Sequence, residues 1–178
     1  KLYAEYKGTR KPMAEELRQQ VPMLKEMLKA MHIATIECAG LEADDLLGTL
    51  SCRCEAMGLE VSLISGDRDT LQLATEHVKI RIPKTKQGKT EVEDYYAEDV
   101  KEHYGVTPTE FIDVKALMGD TADNIPGVPG VGVKTATKII QQYQNIETAY
   151  EHVEELKPPR AGKNLKEFWE QAKLSKVL

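Results

Sequence analysis

Apolar and polar positions alternate along the chain with both helical and extended periods. Apolar residues three or four apart predict a helix that begins at Pro12 and carries Leu17, Val21, Leu24, Met27, Leu28 and Met31. A second helix is predicted over residues 42–57, with Gly58 at its end and with Leu46, Leu47 and Leu50 facing inward. Short apolar runs predict strands at residues 33–36, 61–65, 78–82 and 90–92. The first two strands flank the second helix, which predicts a parallel pair with a right-handed crossover.

Turn and helix signals continue through the rest of the chain. Gln87 and Gly88 predict a turn, and residues 71–74 predict a short helical turn. Thr107 and Glu110 form a capping box with proline between them, which predicts a helix ending near Met118. Further helices are predicted at residues 134–143 and 147–156 and from Lys163 onward, after the break at Pro158 and Pro159. The pattern indicates an α/β domain at residues 1–96 and a helical part at residues 97–178.

Composition limits the class of protein. The chain has 178 residues and 41% hydrophobic residues, enough for the core of one domain. Its apolar runs fall short of the ~20 residues of a membrane span, so no membrane association is expected. Cys38, Cys52 and Cys54 lack zinc spacing and are predicted to be reduced, core-type residues of a cytosolic protein. The chain starts at Lys1 without methionine and stops at Leu178 inside a helical pattern, which indicates a fragment.

The net charge of −5 argues against bulk attraction to nucleic acid, but the charges are unevenly distributed. Basic residues are concentrated near the start of the chain, at Lys1, Lys7, Arg10 and Lys11. They are concentrated again further on, at Lys79, Arg81, Lys84, Lys86 and Lys89. Each run fits either a nucleic-acid contact or an ordinary solvated surface, and the sequence leaves both interpretations open.

Seven carboxylates in three clusters are the strongest chemical signal: Glu42, Asp44, Asp45, Asp67, Asp69, Asp120 and Asp123. Acids this close repel one another unless cations lie between them, and oxygen ligands suit Mg²⁺ or Mn²⁺. The first two clusters follow predicted strands, so the carboxyl edge of the sheet would bring them together. Helix caps and turns are the alternative explanation for them. Whether the third cluster meets the others is left open.

A glycine-rich hairpin follows the third acid cluster, with Gly127, Gly130 and Gly132 ahead of Lys134 and Thr135. It is not a nucleotide-binding P-loop, because Val133 separates the last glycine from the lysine. A helix–hairpin–helix over about residues 108–143 fits better, and its amides would hold DNA phosphates without reading sequence. A simple tight turn is the alternative. Together, the acids and the hairpin indicate metal-dependent hydrolysis of a nucleic-acid phosphodiester, with a metal-activated water as nucleophile.

The motifs at residues 6–12, 40–45, 65–69 and 118–132, in this order, resemble those of the 5′ nuclease (flap endonuclease) family. The resemblance is greatest to the 5′→3′ exonuclease domains of bacterial DNA polymerase I. It implies a PIN-like, Rossmann-like α/β core with a parallel sheet, followed by helices with a helix–three-turn–helix motif. It also implies a cytoplasmic bacterial enzyme that cleaves at 5′ ends, flaps and nicks of DNA, including RNA primers, with a covalently linked polymerase domain.

The resemblance implies a role for each candidate residue. The seven acids would bind two Mg²⁺ or Mn²⁺ ions. Lys7 and Arg10 would be catalytic basic residues of an arch through which the 5′ strand passes. The residues that would contact DNA are Tyr6, Gly127, Gly130, Gly132, Lys134 and Thr135, and a K⁺ ion would bind at the hairpin.

In one respect the chain departs from the family pattern. The pattern begins with a strand that ends in aspartate and has another aspartate before the arch, and both would precede Lys1. We therefore expect this chain to lack the first strand and to cleave slowly by itself. The alternatives are a non-catalytic DNA-binding module and a metal-dependent phosphatase, and the phosphatase would leave the hairpin and the arch without a role.

Overall fold

The structure, a computed structural model, describes residues 3–86 and 88–178. The α-helices are α1 (Glu15–Ala30), α2 (Ala43–Ala56), α3 (Ala97–Tyr104), α4 (Pro108–Met118), α5 (Val133–Tyr143), α6 (Ile146–Glu151), α7 (Pro159–Glu167) and α8 (Trp169–Val177). The strands are β1 (Val61–Ile64), β2 (Val78–Lys86), β3 (Lys89–Tyr95), β4 (Gly119–Asp120) and β5 (Ile125–Pro126). Two 3₁₀ helices lie at Arg68–Leu73 and Val153–Glu155.

Strands β1, β2 and β3 form one mixed sheet. β1 pairs with β2 in parallel, with Val61 opposite Val78, and β2 pairs with β3 antiparallel. Residues 65–77 connect the parallel pair, which agrees with the dozen or so residues that such a crossover needs. Gly88 has a positive φ of 78° at the predicted turn between β2 and β3, and Gln87 lies outside the described residues. The three predicted strands of this sheet are therefore confirmed.

The strand predicted at residues 33–36 is wrong. These residues are irregular, and the side chains of Ile33 and Ile36 are 46% and 58% exposed. A strand forms only where its backbone groups find a partner, and among the described residues β1 pairs with β2 alone. The predicted parallel pair around α2 is wrong for the same reason, and the parallel pair is β1 with β2.

The first two helices form as predicted, but their apolar faces are more exposed than expected. α1 begins at Glu15 rather than Pro12 and buries no residue completely; Leu17, Leu24 and Met27 are each at least half exposed. In α2, Leu46 and Leu47 are half-buried, but Leu50 is exposed. All three cysteines are free, as predicted, yet Cys38 and Cys52 are exposed and Cys54 is half-buried, so the core assignment is wrong.

In the second half of the chain, α3, α5, α6 and α8 pack against α4. Its start is the predicted capping box, in which the Thr107 hydroxyl accepts a hydrogen bond from the amide of Glu110. The sequence patterns missed α3, and the helix predicted at residues 147–156 is divided into α6 and a 3₁₀ turn. The last helical stretch starts at Pro159 rather than Lys163, because proline fits the first helical position.

One hydrophobic core runs from the sheet into these helices. Within it, the buried carboxylate of Asp113 on α4 accepts a hydrogen bond of 3.0 Å from the amide of Ile146 and lies 2.7 Å from Nζ of Lys176. This pairing ties α8 to α4 and α6. The predicted fold class, an α/β core followed by a helical part with a helix–hairpin–helix, is confirmed. In the described part of the chain, every helix is too short or too polar to cross a lipid bilayer.

Candidate metal and nucleic-acid site

A single cavity of about 700 Å³ is lined by all seven acids that the sequence singles out. Three structural segments deliver them. The N-terminus of α2 carries Glu42, Asp44 and Asp45, the segment after β1 carries Asp67 and Asp69, and the turn after α4 carries Asp120 and Asp123. The acid cluster that the sequence left unplaced therefore meets the other two.

Local hydrogen bonds fix the two clusters of the α/β half. The amide of Glu42, the N-cap residue of α2, donates to Oδ2 of Asp45 at 2.9 Å. Asp67 begins the first 3₁₀ helix, where its Oδ1 accepts from the amide of Asp69 at 2.9 Å. The helix-cap explanation is thus partly right for Asp45 and the turn explanation for Asp67, although each keeps a second carboxylate oxygen for other contacts.

Asp69 and Asp120 form what we term the inner acid pair, because they lie on either side of a lysine from the core helix α4. Nζ of Lys115 is 3.0 Å from Oδ1 of Asp69 and 2.7 Å from Oδ2 of Asp120. Oδ1 of Asp120 also accepts from the amide of Ala122 at 2.8 Å. The lysine thus neutralises part of the charge that these two acids carry.

The pKa values of the inner acid pair shift in opposite directions. Burial raises the pKa of Asp69, and the ammonium group of Lys115 only partly opposes that rise. Burial also acts to raise the pKa of Asp120, but hydrogen bonds from Lys115 and from two backbone amides lower it below its usual value. Burial acts to lower the pKa of Lys115 itself, but the two carboxylates raise it. The lysine therefore keeps its charge between them.

Glu42 and Asp123 form the outer acid pair, and the cations beside them come from a loop rather than a helix. The side chain of Lys7 forms an ion pair with Glu42, and its Nζ lies 4.0 Å from Oδ2 of Asp123. Arg10 forms an ion pair with Asp123. Both predicted arch residues therefore lie beside the cavity, against acids 35 to 116 positions away in the sequence.

The other three acids, Asp44, Asp45 and Asp67, form no ion pair with any lysine or arginine among residues 3–86 and 88–178. Partial desolvation, followed by the charges of Asp67 and Glu42, raises the pKa of Asp44. Like charges facing one cavity without a compensating cation attract positive ions, which is the electrostatic situation expected at a metal site.

The seven acidic side chains suit a hard divalent cation, since each of them offers carboxylate oxygens as ligands. Their present arrangement is more open than a closed coordination shell, and in the described part of the chain no three acidic, histidine or cysteine side chains converge closely enough to hold an ion. Lys115, Lys7 and Arg10 lie between the acids instead. Ion binding would therefore require side chains of the acids to rotate away from these cations.

The predicted hairpin lies beside the acid turn. Val128 and Val131 are buried and anchor it, and the amide of Val128 donates to the carbonyl of Leu117 at 2.7 Å. Gly130 has a φ of +76°, which favours glycine. Gly132 is the N-cap of α5 and has no side chain to cap the first amides of that helix. Lys134 is exposed next to these amides, and Thr135 is half-buried.

A two-stranded ladder joins the hairpin to the acid turn. Asp120 on β4 pairs with Ile125 on β5, and Gly119 pairs with Pro126. The strands approach so closely that a Cβ atom on Gly119 would lie 2.2 Å from the amide nitrogen of Gly127. Gln171 on α8 donates to the carbonyl of Gly127 at 2.5 Å. These contacts hold Gly127, the first hairpin glycine, against the acid turn.

The two remaining sets of predicted residues lie in different surroundings. Tyr6 lines the acid cavity and not the hairpin. In the second basic run, Lys79 and Arg81 pair with Asp94 at 3.5 and 2.8 Å, and Lys84 pairs with Glu93 at 2.5 Å. Cross-strand acids thus neutralise much of that run, which favours the solvated-surface interpretation for it.

Sequence reasoning missed Lys115 and Asn124. Lys115 stands five residues before Asp120, a spacing that does not bring two residues onto one helical face. The available signal was a charged residue inside the apolar run of a buried helix. Asn124 donates from its side-chain amide to the carbonyl of Glu5 at 2.8 Å, and a contact across 119 positions leaves no local signal.

Two family models together match the whole chain. One is described as "5'-3' exonuclease, N-terminal resolvase-like domain" and matches residues 1–105. The other is described as "5'-3' exonuclease, C-terminal SAM fold" and matches residues 106–178. The chain belongs to the 5′-3′ exonuclease family, whose members are metal-dependent nucleases, and the resemblance seen in the motifs is confirmed.

Among curated proteins, DNA polymerase I of Bacillus caldotenax is 47% identical over 176 residues, which is 99% of this chain and 20% of that protein. This chain therefore spans about a fifth of the length of that relative. Among solved structures, T5 5′-exonuclease with bound zinc ions superposes with a TM-score of 0.78 at 27% identity, over 99% of this chain and 67% of the other. The flap endonuclease of bacteriophage T5, in a complex with DNA and metal ions, gives a TM-score of 0.77 at 27% identity, over 99% of this chain and 66% of the other.

Proposed function

We propose that this chain provides the metal site, the arch and the duplex-binding hairpin of a 5′ nuclease. Its substrates would be DNA with a 5′ flap, a nick or a free 5′ end, including RNA primers. The observation that carries the proposal is the convergence of all seven predicted acids on one cavity. The family membership supports it, and the DNA complex of the T5 flap endonuclease supports the choice of substrate.

The acids would hold two divalent ions, Mg²⁺ or Mn²⁺, supplying Lewis acidity and a water of lowered pKa. Asp44, Asp45 and Asp67 face the cavity and form no ion pair with lysine or arginine in the described part of the chain. They would therefore bind a metal ion without first breaking an ion pair. Asp69 and Asp120 share Lys115 through one oxygen each, which leaves the second carboxylate oxygen of Asp69 for an ion. Glu42 and Asp123 would complete the set.

Lys7 and Arg10 would hold the phosphate next to the bond that is cleaved. Both are attached to a loop, so their side chains can exchange a carboxylate for a phosphate oxygen without disturbing the core. Charge that develops on the phosphate in the transition state would then be stabilised by two cations. Lys115, which is fixed on α4, would contribute a permanent positive charge behind the acids.

The hairpin would bind the duplex part of the substrate. The backbone amides around Gly130 and Gly132 and the exposed Lys134 face solvent together, which suits a phosphate group. Gly127 and Thr135 shape the two ends of this segment, and Tyr6 would approach the strand at the cavity. These contacts do not read bases, so binding would show little sequence preference.

The family resemblance extends the proposal in two further directions. A K⁺ ion would bind at the hairpin, and a polymerase domain would be linked to this chain in the whole protein. We also place the division between the nuclease core and the helical part near residue 97, since β3 ends at Tyr95 and α3 begins at Ala97.

The decisive test is cleavage of a 5′-flap duplex with Mg²⁺ or Mn²⁺ under single-turnover conditions. Two proteins would be compared: this chain, and an extended chain that adds the preceding segment of the Bacillus caldotenax relative. We expect slow metal-dependent cleavage by this chain and faster cleavage by the extended chain. Asp120→Asn combined with Asp123→Asn should abolish both. Cleavage that survives this double substitution would refute the proposed metal site.

The second candidate is a DNA-binding module without catalysis. It is favoured by one observation: Lys115, Lys7 and Arg10 already neutralise four of the acids. In that case duplex binding would persist, and the extended chain would show no metal-dependent cleavage at any protein concentration.

A further inference from the structure

The loop that carries Lys7 and Arg10 is attached to the acid turn by a pair of reciprocal hydrogen bonds. We term the loop, residues 3–10, the basic loop. The amide of Lys7 donates to the carbonyl of Asp123 at 2.8 Å. In the other direction, the side-chain amide of Asn124 donates to the carbonyl of Glu5, also at 2.8 Å. These two bonds connect segments that are more than a hundred residues apart.

Both sides of this junction have an unusual backbone. Lys7 and Asn124 each have a φ of 57°, and only two other non-glycine residues in the described part of the chain, His32 and Gln144, have a positive φ. Asparagine tolerates this conformation better than most residues, whereas lysine does not. Backbone strain concentrates where a structure holds functional groups in place, and here it coincides with the contact between the basic loop and the acids.

The geometry gives Asn124 two connections at once. Its left-handed backbone turns the chain so that Ile125 can pair with Asp120 in the ladder. Its side chain reaches the carbonyl of Glu5, which also accepts the amide of Gly8 at 2.8 Å. A Cβ atom at Gly8 would lie 2.9 Å from the same oxygen, so the basic loop is closely fitted at this point.

We propose that Asn124 is a positioning residue that fixes the basic loop over the acid turn, so that Lys7 and Arg10 meet the 5′ single strand. It would touch neither the substrate nor the metal ions. This inference rests on the proposed function, because it assumes that the basic loop engages a 5′ strand. The inference predicts that Asn124 contributes to binding of the single-stranded tail of a substrate and contributes little to binding of the duplex at the hairpin.

Asn124→Gly provides the cleanest test, because glycine keeps the positive φ and removes only the side-chain donor. Asn124→Asp provides a second variant, which keeps the size and the tolerance for this backbone but replaces the donor by an acceptor. Gln144→Gly is the matched control, since it places glycine at another positive-φ position whose exposed side chain is remote in sequence from the basic loop.

The measurement is fluorescence anisotropy in EDTA, which prevents cleavage, with one duplex that either carries or lacks a 5′ single-stranded tail. We expect both Asn124 variants to weaken binding of the tailed DNA about two- to tenfold, the effect of one hydrogen bond. Binding of the blunt duplex should change by less than about twofold, and Gln144→Gly should behave as the unmodified chain. Melting curves in the same buffer would verify that each variant folds.

A double-substitution comparison separates positioning from a general structural effect. If Asn124 acts through Lys7 and Arg10, then adding Asn124→Gly to a chain that already carries Lys7→Ala and Arg10→Ala should cost no further tail affinity. Additive losses would overturn the inference, and so would an equal loss on tailed and blunt DNA or a tail preference that both Asn124 variants retain. If the unmodified chain shows no preference for the tail, the basic loop does not engage a 5′ strand, and that outcome refutes both this part of the proposed function and the inference about Asn124.

Discussion

The inner and outer acid pairs are neutralised in different ways. The inner pair, Asp69 and Asp120, has its cation on α4, a helix that contributes to the core, and the side chain of Lys115 is only 24% exposed. The outer pair, Glu42 and Asp123, has its cations on the basic loop, where Lys7 and Arg10 lie beside the cavity. Under the proposed function, Lys115 would remain part of the site, whereas Lys7 and Arg10 would exchange their carboxylates for a substrate.

The largest expected effect comes from the outer pair. Lys7→Ala in the extended chain should slow single-turnover cleavage of a 5′ flap about 100-fold, which is typical for loss of a group that stabilises transition-state charge. Duplex affinity should change by less than about twofold. Lys11→Ala is the control, because Lys11 is exposed just beyond the basic loop. A fall in duplex affinity with cleavage intact would mean that Lys7 does not act on the 5′ strand.

For the inner pair, loss of its cation should change the stability of the folded chain. Lys115→Met leaves two partly buried acids without their cation, which should cost about 1–3 kcal/mol of unfolding free energy without metal. That corresponds to roughly 2–4 °C of melting temperature per kcal/mol. The rise in melting temperature on adding Mg²⁺ should become larger, because no ammonium group competes with the ion. The exposed Lys138→Met provides the control, and an unchanged metal response would show that Lys115 does not compete with ions.

The hairpin belongs to neither acid pair, so substitutions in it should affect only the binding of duplex DNA. Lys134→Ala should weaken binding to all duplex sequences about equally and reduce the slope of log affinity against log salt by about 1. Unlike Lys7→Ala, this substitution should not change the contribution that a 5′ tail makes to the affinity for DNA. Lys101→Ala, an exposed change on α3, is the control. Loss of affinity for some sequences and not others would contradict backbone-only contact.

The smallest expected effect is the pH dependence of an acid that lacks a cation. The pKa of Asp44 is raised in the folded chain, so the folded state binds the proton more tightly than the unfolded state does. In EDTA this acid should therefore reduce stability as pH rises from its ordinary pKa of 3.8 through the raised value. Asp44→Asn should increase the melting temperature slightly at neutral pH, whereas the exposed Glu151→Gln should not. A lower melting temperature for Asp44→Asn at neutral pH would contradict this account.

The features that sequence predicted well are those with local causes. The capping box of α4, the glycine hairpin and the acid clusters each depend on residues a few positions apart, so their patterns are visible in the chain. The strand at residues 33–36 was wrong because a strand also needs a neighbour, which local pattern does not specify. The sequence pattern does not reveal Lys115 and Asn124 for a related reason. Each acquires its role from a partner that only the folded chain brings near.

The central claim, that the seven acids form one metal site, is tested most directly by titrating this chain with Mn²⁺ in a calorimeter and measuring its melting temperature. At a free Mn²⁺ concentration of about 100 times the dissociation constant, ion binding should add about 2.7 kcal/mol to the free energy of unfolding. Asp120→Asn with Asp123→Asn should remove most of the binding heat and of the stabilisation. The control pair Glu154→Gln with Glu155→Gln removes two exposed acids elsewhere and should change neither. Equal Mn²⁺ binding by the unmodified chain and the Asp120 and Asp123 variant would contradict the claim.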